Sequence, residues 1–175
     1  MPKHRIRAAI RDIKDFPKEG IIFKDITPVL MDAALCNDIA NSFERAFADK
    51  KIDLVVGVES RGFLFGMLLA QKLKVPFVPV RKVGKLPYKT ISYTYDLEYG
   101  SAAVEIHEDA IKKGSNVLIH DDLLATGGTA MASAELVKQL GGKIAGFAFL
   151  VELEFLKGKN ILQKYSDNIV SLIQY

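Results

Sequence analysis

The 175-residue chain has one cysteine and no tryptophan. A lone Cys36 excludes an intrachain disulfide and a cysteine-based zinc cluster, so redox-thiol and structural-zinc chemistry drop out. Long apolar runs are missing as well. Phe63 to Ala70 and Ile144 to Val151 are the longest, eight residues each, where a membrane-spanning helix needs about 20. The opening MPKHRIRAAIRDIKD intersperses charge with small apolar residues and builds no signal-peptide core, so a cytoplasmic location is expected and no membrane partner. A bias of one charge sign is also absent. Lys and Arg total 24 against 21 Asp and Glu, a net +3 that is too small to argue for nucleic acid as a partner. Any anion site has to be local.

What is present is an ordinary globular composition, 49% apolar and 26% charged. A chain of this length forms one domain, 1–175, able to bury about 70% of its extended surface. Leu35, Ile39, Phe43 and Phe47 recur every four residues and predict a helix near Ala33 to Lys50. Ile52 to Val58 is a β-branched apolar run, the pattern of a strand covered on both faces. Arg61 to Leu73 then reads as helix, Phe77 to Val80 and Asn116 to His120 as strands, Thr129 to Leu140 as helix and Ile144 to Val151 as strand. Strands that alternate with helices imply an α/β domain with a mostly parallel sheet flanked by helices. Tyr88 to His107 breaks the rhythm. Its two strand-like pieces, Ser92 to Tyr95 and Ala102 to His107, meet at Gly100 and predict a β-hairpin flap, about 84–107.

The most informative segment is VLIHDDLLATGGTA, Val117 to Ala130. A buried strand ends in Asp121 and Asp122, passes through a short loop and opens into a helix. Ligands of open parallel sheets sit beyond the carboxyl ends of strands. Unpaired amides at a helix start, with Gly127 and Gly128 to admit an anion, make a phosphate cradle to which Thr126 and Thr129 add hydroxyls. Two acids beside a phosphate must face hydroxyl donors or a cation, and a ribose diol supplies such donors. The sequence has neither the G-x-x-x-x-G-K-[ST] nor the G-x-G-x-x-G string, which disfavours nucleotide hydrolysis and hydride transfer.

Val117 to Thr129 resembles the phosphoribosyl-pyrophosphate signature of the type I phosphoribosyltransferases, and DDLLATGGT is similar to the form found in their adenine-using branch. FPKEGIIFKDITPVL (Phe16 to Leu30), VESRGFLFG (Val58 to Gly66), RKVGKLP (Arg81 to Pro87) and YDLEYG (Tyr95 to Gly100) agree with that branch, and the match runs from about Phe16 to the terminal SLIQY. The resemblance implies a type I fold with a small hood and the hairpin flap. It implies transfer of phosphoribose from 5-phosphoribosyl-1-pyrophosphate to adenine, giving AMP and pyrophosphate, a step of purine salvage. Magnesium is implied as well, held through substrate and water with no ligand directly from the protein.

Residue by residue, the resemblance gives Asp121 and Asp122 the ribose hydroxyls and Ala125, Thr126, Gly127, Gly128 and Thr129 the 5′-phosphate. Pyrophosphate falls to Ser60, Arg61, Arg81 and Lys85, with a cis Glu59-Ser60 peptide and with Arg81 reaching toward a neighbouring subunit, hence a homodimer. Adenine lies beside Ile21 to Lys24, with Phe23 against its ring and the main chain of Ile22 and Lys24 reading its edge. By the resemblance Glu98 is expected to exchange a proton with adenine, with solvent as the alternative, Arg61 is also expected to be catalytic, and Tyr99 is expected to close over the site. Lys24 stands where arginine is common. His120, Val83 and Ala130 also depart from the usual residues, and His120 is expected to be a satisfied core ring or a half-buried one. Glu59 by itself reads as a solvated strand end, Glu105 and His107 as the wet face of a strand, and His4 as part of a charged N-terminal helix. Transfer to another purine, or a non-catalytic sensor of phosphoribosyl pyrophosphate, are the alternatives. The sensor is disfavoured because no helix-turn-helix-sized segment precedes the core.

Overall fold

The computed structural model describes residues 3–96 and 100–175. In chain order the elements are α1 (Lys3–Ala9), β1 (Arg11–Lys14), β2 (Ile22–Asp25), α2 (Thr27–Leu30), α3 (Ala33–Ala46), β3 (Leu54–Val58), α4 (Gly62–Leu73), β4 (Phe77–Lys82), β5 (Thr90–Asp96), β6 (Ser101–His107), β7 (Asn116–Leu124), α5 (Gly128–Gln139), β8 (Lys143–Glu152), α6 (Lys159–Leu162) and β9 (Ile169–Gln174). A short 3-10 turn at Glu154–Leu156 precedes α6.

Seven strands form one sheet in the order β5-β6-β4-β3-β7-β8-β9. From β4 to β9 every neighbouring pair is parallel. At the other edge β6 runs antiparallel to β4 and β5, which makes the hairpin flap an extension of the main sheet. β1 and β2 pair antiparallel as a separate two-stranded sheet, the hood.

The central strands are buried on both faces, as their continuous apolar runs require. Val55 and Leu118 pack with Phe43, Phe65 and Leu69 of α3 and α4. Val56 and Ile119, one residue on, pack with Leu136 and Val137 of α5. Phe43 and Phe65 are fully buried, each stabilising the fold by about 1.5 to 3 kcal/mol. α3 begins where Asp32 accepts a hydrogen bond from the Leu35 amide at 2.9 Å, an N-cap worth about 1 kcal/mol.

Several expectations need correction. β7 does not stop at His120. It carries Asp121 and Asp122 and continues to Leu124, because β8 pairs with it along the whole length, Asp121 opposite Phe149 and Leu124 opposite Glu152. α3 ends at Ala46, short of Lys50, and Phe47 closes it outside helical geometry with φ −115° and ψ 15°. The short strands β1 and β9 were not anticipated. β9 is legible only as a partner of β8, with Phe147 opposite Ile169 and Val151 opposite Ile173.

Candidate active site

Asp121 and Asp122 sit at the carboxyl end of β7. Asp122 is 4% exposed, and its Oδ2 lies 2.9 Å from Nε of Arg61, the residue that precedes α4. Asp121 turns one oxygen back to accept from the Asp122 amide at 2.8 Å. α4 approaches this closely because residue 62 is glycine, where a Cβ would stand 3.0 Å from Asp121 Oδ1. Burial, and then the neighbouring Asp122 charge, push the Asp121 carboxyl well above its ordinary range. Burial also raises Asp122, with the Arg61 charge opposing it. Two desolvated acids and one cation favour a ligand that brings hydroxyl donors or positive character.

The segment expected to cradle a phosphate follows directly. Gly127 has φ +86°, a conformation that favours glycine, and α5 starts from it without a side-chain cap. The first helical bond returns from the Met131 amide to the Gly127 carbonyl, so the amides of Gly128, Thr129 and Ala130 precede the ladder and point outward. A hollow of about 70 Å³ lies among Asp121, Leu123 to Thr129 and Ala130, room for about two waters or one tetrahedral oxyanion. What shapes the loop from behind is distant in sequence. A Cβ on Gly158 would meet the Ala125 carbonyl oxygen at 2.2 Å, and a Cβ on Gly127 would meet Ile161 Cγ2 at 2.6 Å. Tyr95 of the flap places its hydroxyl 2.9 Å from Thr129 Oγ1. No local signal in the sequence assigns Gly158 or Ile161 to this loop, and Tyr95 is marked there only as part of a flap strand and of the YDLEYG string.

The third group surrounds the end of β3, where Glu59-Ser60 is a cis peptide. Glu59 is no solvated strand end. Its carboxylate accepts from Arg81 Nη2 at 3.2 Å, Arg81 Nε at 3.3 Å and the Lys82 amide at 2.9 Å. Burial works to raise its pKa, but the Lys82 amide and Arg81 outweigh it and hold the carboxyl below its usual range. Arg81 also donates from Nη1 to the Lys85 carbonyl at 3.1 Å, so Arg81 and Lys85 are brought together, and Arg81 is held to Glu59, the residue before Ser60. Glu105 is likewise not on a wet face. It is 4% exposed because loop 84–90 folds over the outward side of β6.

His120 is fully buried, edge-on to Phe43 at 5.3 Å between centroids, and neither ring nitrogen finds a hydrogen-bond partner of good geometry. The expectation of a satisfied ring is therefore corrected to a buried, neutral, unsatisfied one. Burial drives its pKa to about 3, with the Ala148 backbone opposing. His4 is exposed on α1 and His107 is half-buried.

A cavity of about 540 Å³ opens between the hood and the body. Ile21, Ile22 and Lys24 form one wall and Leu153, Phe155 and Leu156 the other, with Thr126 joining it to the phosphate loop. Alternation along β2 sends Phe23 the other way, over the Arg61 guanidinium at 5.0 Å and against Phe16 at 5.2 Å. Nothing in the sequence singles out Leu153, Phe155 or Leu156. Their signal, a few apolar residues just past a strand, is common to many loops. Glu98 and Tyr99 lie outside the described residues. Among the described residues no group of three His, Cys, Asp or Glu side chains is arranged to hold a metal ion.

Comparison with known proteins agrees with this fold. Residues 29–173 match the family described as the phosphoribosyl transferase domain. The adenine phosphoribosyltransferase of Christiangramia forsetii is 54% identical over 97% of this chain and 98% of its own. The crystal structure of adenine phosphoribosyltransferase from Thermoanaerobacter pseudethanolicus superposes with a TM-score of 0.95 at 53% identity, covering 99% of each chain. That from Saccharomyces cerevisiae, complexed with adenine and an imino-altritol bisphosphate, superposes with a TM-score of 0.90 at 45% identity over 97% of each. With these likenesses along nearly its whole length, and with a buried acidic pair at the carboxyl edge of its sheet, the chain belongs to the adenine phosphoribosyltransferases of the phosphoribosyl transferase domain family.

Proposed function

We propose that the chain joins adenine to the phosphoribosyl group of 5-phosphoribosyl-1-pyrophosphate, yielding AMP and pyrophosphate and so returning free base to the nucleotide pool, a purine-salvage reaction. One observation carries the reading. The acidic pair Asp121 and Asp122 stands between an uncapped helix start at Gly127 to Thr129 and the cationic turn of Arg61, Arg81 and Lys85. A sugar with phosphate at both ends needs that order of charges.

In the proposed reaction the 5′-phosphate is received by the amides and hydroxyls of Ala125 to Thr129. Asp121 and Asp122 accept from the ribose hydroxyls, and their negative charge favours the cation-like sugar formed as the bond to pyrophosphate breaks. Adenine N9 forms the new bond to the anomeric carbon and gives up its proton, for which Glu98 is the proposed acceptor. Ser60, Arg61, Arg81 and Lys85 take the departing pyrophosphate. Tyr99 is the proposed cover that excludes water. Adenine is placed in the cavity under the hood, where the fixed main chain of Ile22 and Lys24 accepts from its amino group and disfavours a carbonyl in that place. The yeast structure named above binds adenine, which supports this base.

Magnesium is proposed to enter with the pyrophosphate, held by phosphate oxygens and water, and it would supply charge neutralisation to the leaving group. A homodimer is proposed as the working assembly, because α4 leaves Leu64 and Met67 in solvent at 43% and 49% exposure. The proposed setting is the cytoplasm; no helix among the described residues is long and apolar enough to cross a membrane.

The test is turnover of the purified chain with magnesium and phosphoribosyl pyrophosphate against each purine in turn. Adenine is expected to give AMP and pyrophosphate while hypoxanthine, guanine and xanthine give little product. The double variant Asp121→Ala, Asp122→Ala is expected to be folded and inactive. Preferential use of another purine, or specific duplex DNA binding without turnover of any base, would reject the reading.

A further inference from the structure

Glu105 is a buried carboxylate in a strand of the flap hairpin, and nothing in the reaction proposed above uses it. One of its oxygens accepts from two consecutive main-chain amides, Lys85 and Leu86, each at 2.9 Å. The other accepts from the Thr90 hydroxyl at 3.1 Å. The residue stands opposite Arg81 in the β4–β6 register. A desolvated charge with three donors aimed at it is a specific arrangement, since a buried carboxylate without partners is strongly destabilising.

Its partners belong to the loop that carries the cationic residues. That loop is tied at three places. Glu59 holds its start through the Lys82 amide, Glu105 holds its far arm through Lys85 and Leu86, and the Arg81 guanidinium closes it onto the Lys85 carbonyl. Gly84, at φ +86°, makes the turn between the two carboxylates. An exposed loop of this composition would otherwise sample many conformations, and ordering it upon binding would cost affinity. Burial works against ionisation of Glu105, but the Leu86 and Lys85 amides and the Thr90 hydroxyl outweigh it and hold the carboxyl below its ordinary range. The group is charged at neutral pH.

We propose that Glu105 is a positioning residue for pyrophosphate, preorganising the Arg81 to Lys85 loop from beneath without touching substrate. The inference rests on the reading that this loop receives pyrophosphate. Glutamine preserves the geometry, because its carbonyl oxygen can accept from both amides and its NH₂ can donate to the Thr90 oxygen. Alanine removes the hydrogen bonds from Lys85, Leu86 and Thr90.

Three variants and two measurements test it. Glu105→Ala is expected to raise KM for phosphoribosyl pyrophosphate by about tenfold while KM for adenine stays within about twofold, and Glu105→Gln to return both close to the parent values. If Glu105→Ala does not fold, Thr90→Val carries the test, with a smaller rise in the same KM. Calorimetric titration of magnesium pyrophosphate into parent and variants reads the loop directly, and its affinity is expected to fall in parallel. Parent-like KM for phosphoribosyl pyrophosphate in both Glu105→Ala and Thr90→Val, an equal rise in both KM values, or no recovery in Glu105→Gln would overturn the proposal. If the parent fails to use adenine yet binds pyrophosphate in a Glu105-dependent way, the positioning role stands and the choice of base falls.

Discussion

Arg61 and Asp122 meet between the start of α4 and the end of β7, Nε to Oδ2 at 2.9 Å, and the guanidinium is covered on another side by the ring of Phe23. The proposed pyrophosphate turn is thereby joined to the proposed ribose site and to the hood. On that proposal, charge developing at the anomeric carbon would be felt by both Arg61 and Asp122.

The neighbouring Asp121 lies in this cluster at a cost to the fold. Its carboxyl is pushed up by burial and by Asp122, so the folded state binds more protons than the unfolded chain at any pH between the two values. Stability is therefore lost as pH rises above the ordinary carboxylate range. Asp121→Asn retains an oxygen for the Asp122 amide and removes the charge. It is expected to melt at a higher temperature than the parent at pH 7 to 8, with the gap closing toward pH 4, while turnover falls by about 100-fold or more. Thermal melts across pH and steady-state rates check both halves.

His120 gives the opposite slope. Its folded pKa of about 3 lies below the ordinary value of 6.5, so the unfolded chain takes up the proton first as pH falls. Between pH 6.5 and 5 this withdraws about 2 kcal/mol of stability. His120→Val is expected to remove most of that loss, so that urea midpoints at pH 7 and pH 5 differ less in the variant than in the parent.

Gly158 is expected to be intolerant of any side chain. An added methyl would stand 2.2 Å from the Ala125 carbonyl oxygen and push on the phosphate loop. Gly158→Ala should weaken AMP binding about tenfold and lower stability by about 1 to 3 kcal/mol. Calorimetric titration with AMP and a denaturant curve measure the two effects.

Tyr95 ties the flap to the same loop. Tyr95→Phe keeps the ring against Gly128 but removes the hydroxyl beside Thr129. The expected loss is about 1 kcal/mol of stability and a rise of a few-fold in KM for phosphoribosyl pyrophosphate, with KM for adenine unchanged. Initial-rate kinetics with each substrate varied in turn checks it.

Alternation of strand and helix from Leu54 to Glu152 was readable from the hydrophobic pattern, because the central strands are continuous buried apolar runs and each helix buries one stripe. The flap hairpin was readable too, but its strands run longer than the expected Ser92 to Tyr95 and Ala102 to His107, pairing from Thr90 opposite His107 to Asp96 opposite Ser101. Glu105 shows where that reasoning stops. Its neighbours Val104 and Ile106 mark the inward face, and nothing local tells that a loop twenty residues earlier folds over the other side. Glu59 was misread for the same reason, since its partners Arg81 and Lys82 belong to the next strand.

By itself the chain of residues determined the contiguous parts of the site: two acids at a strand end, two glycines and a helix start, all within Asp121 to Thr129. Those depend on backbone conformation and on which side chains adjoin along the chain, and both are local properties. Only the tertiary structure decided that Glu105 anchors Lys85, that Gly158 supports Ala125 and that Arg61 faces Asp122. Strand order and register bring those partners together, and they follow from how two layers of helices bury one sheet.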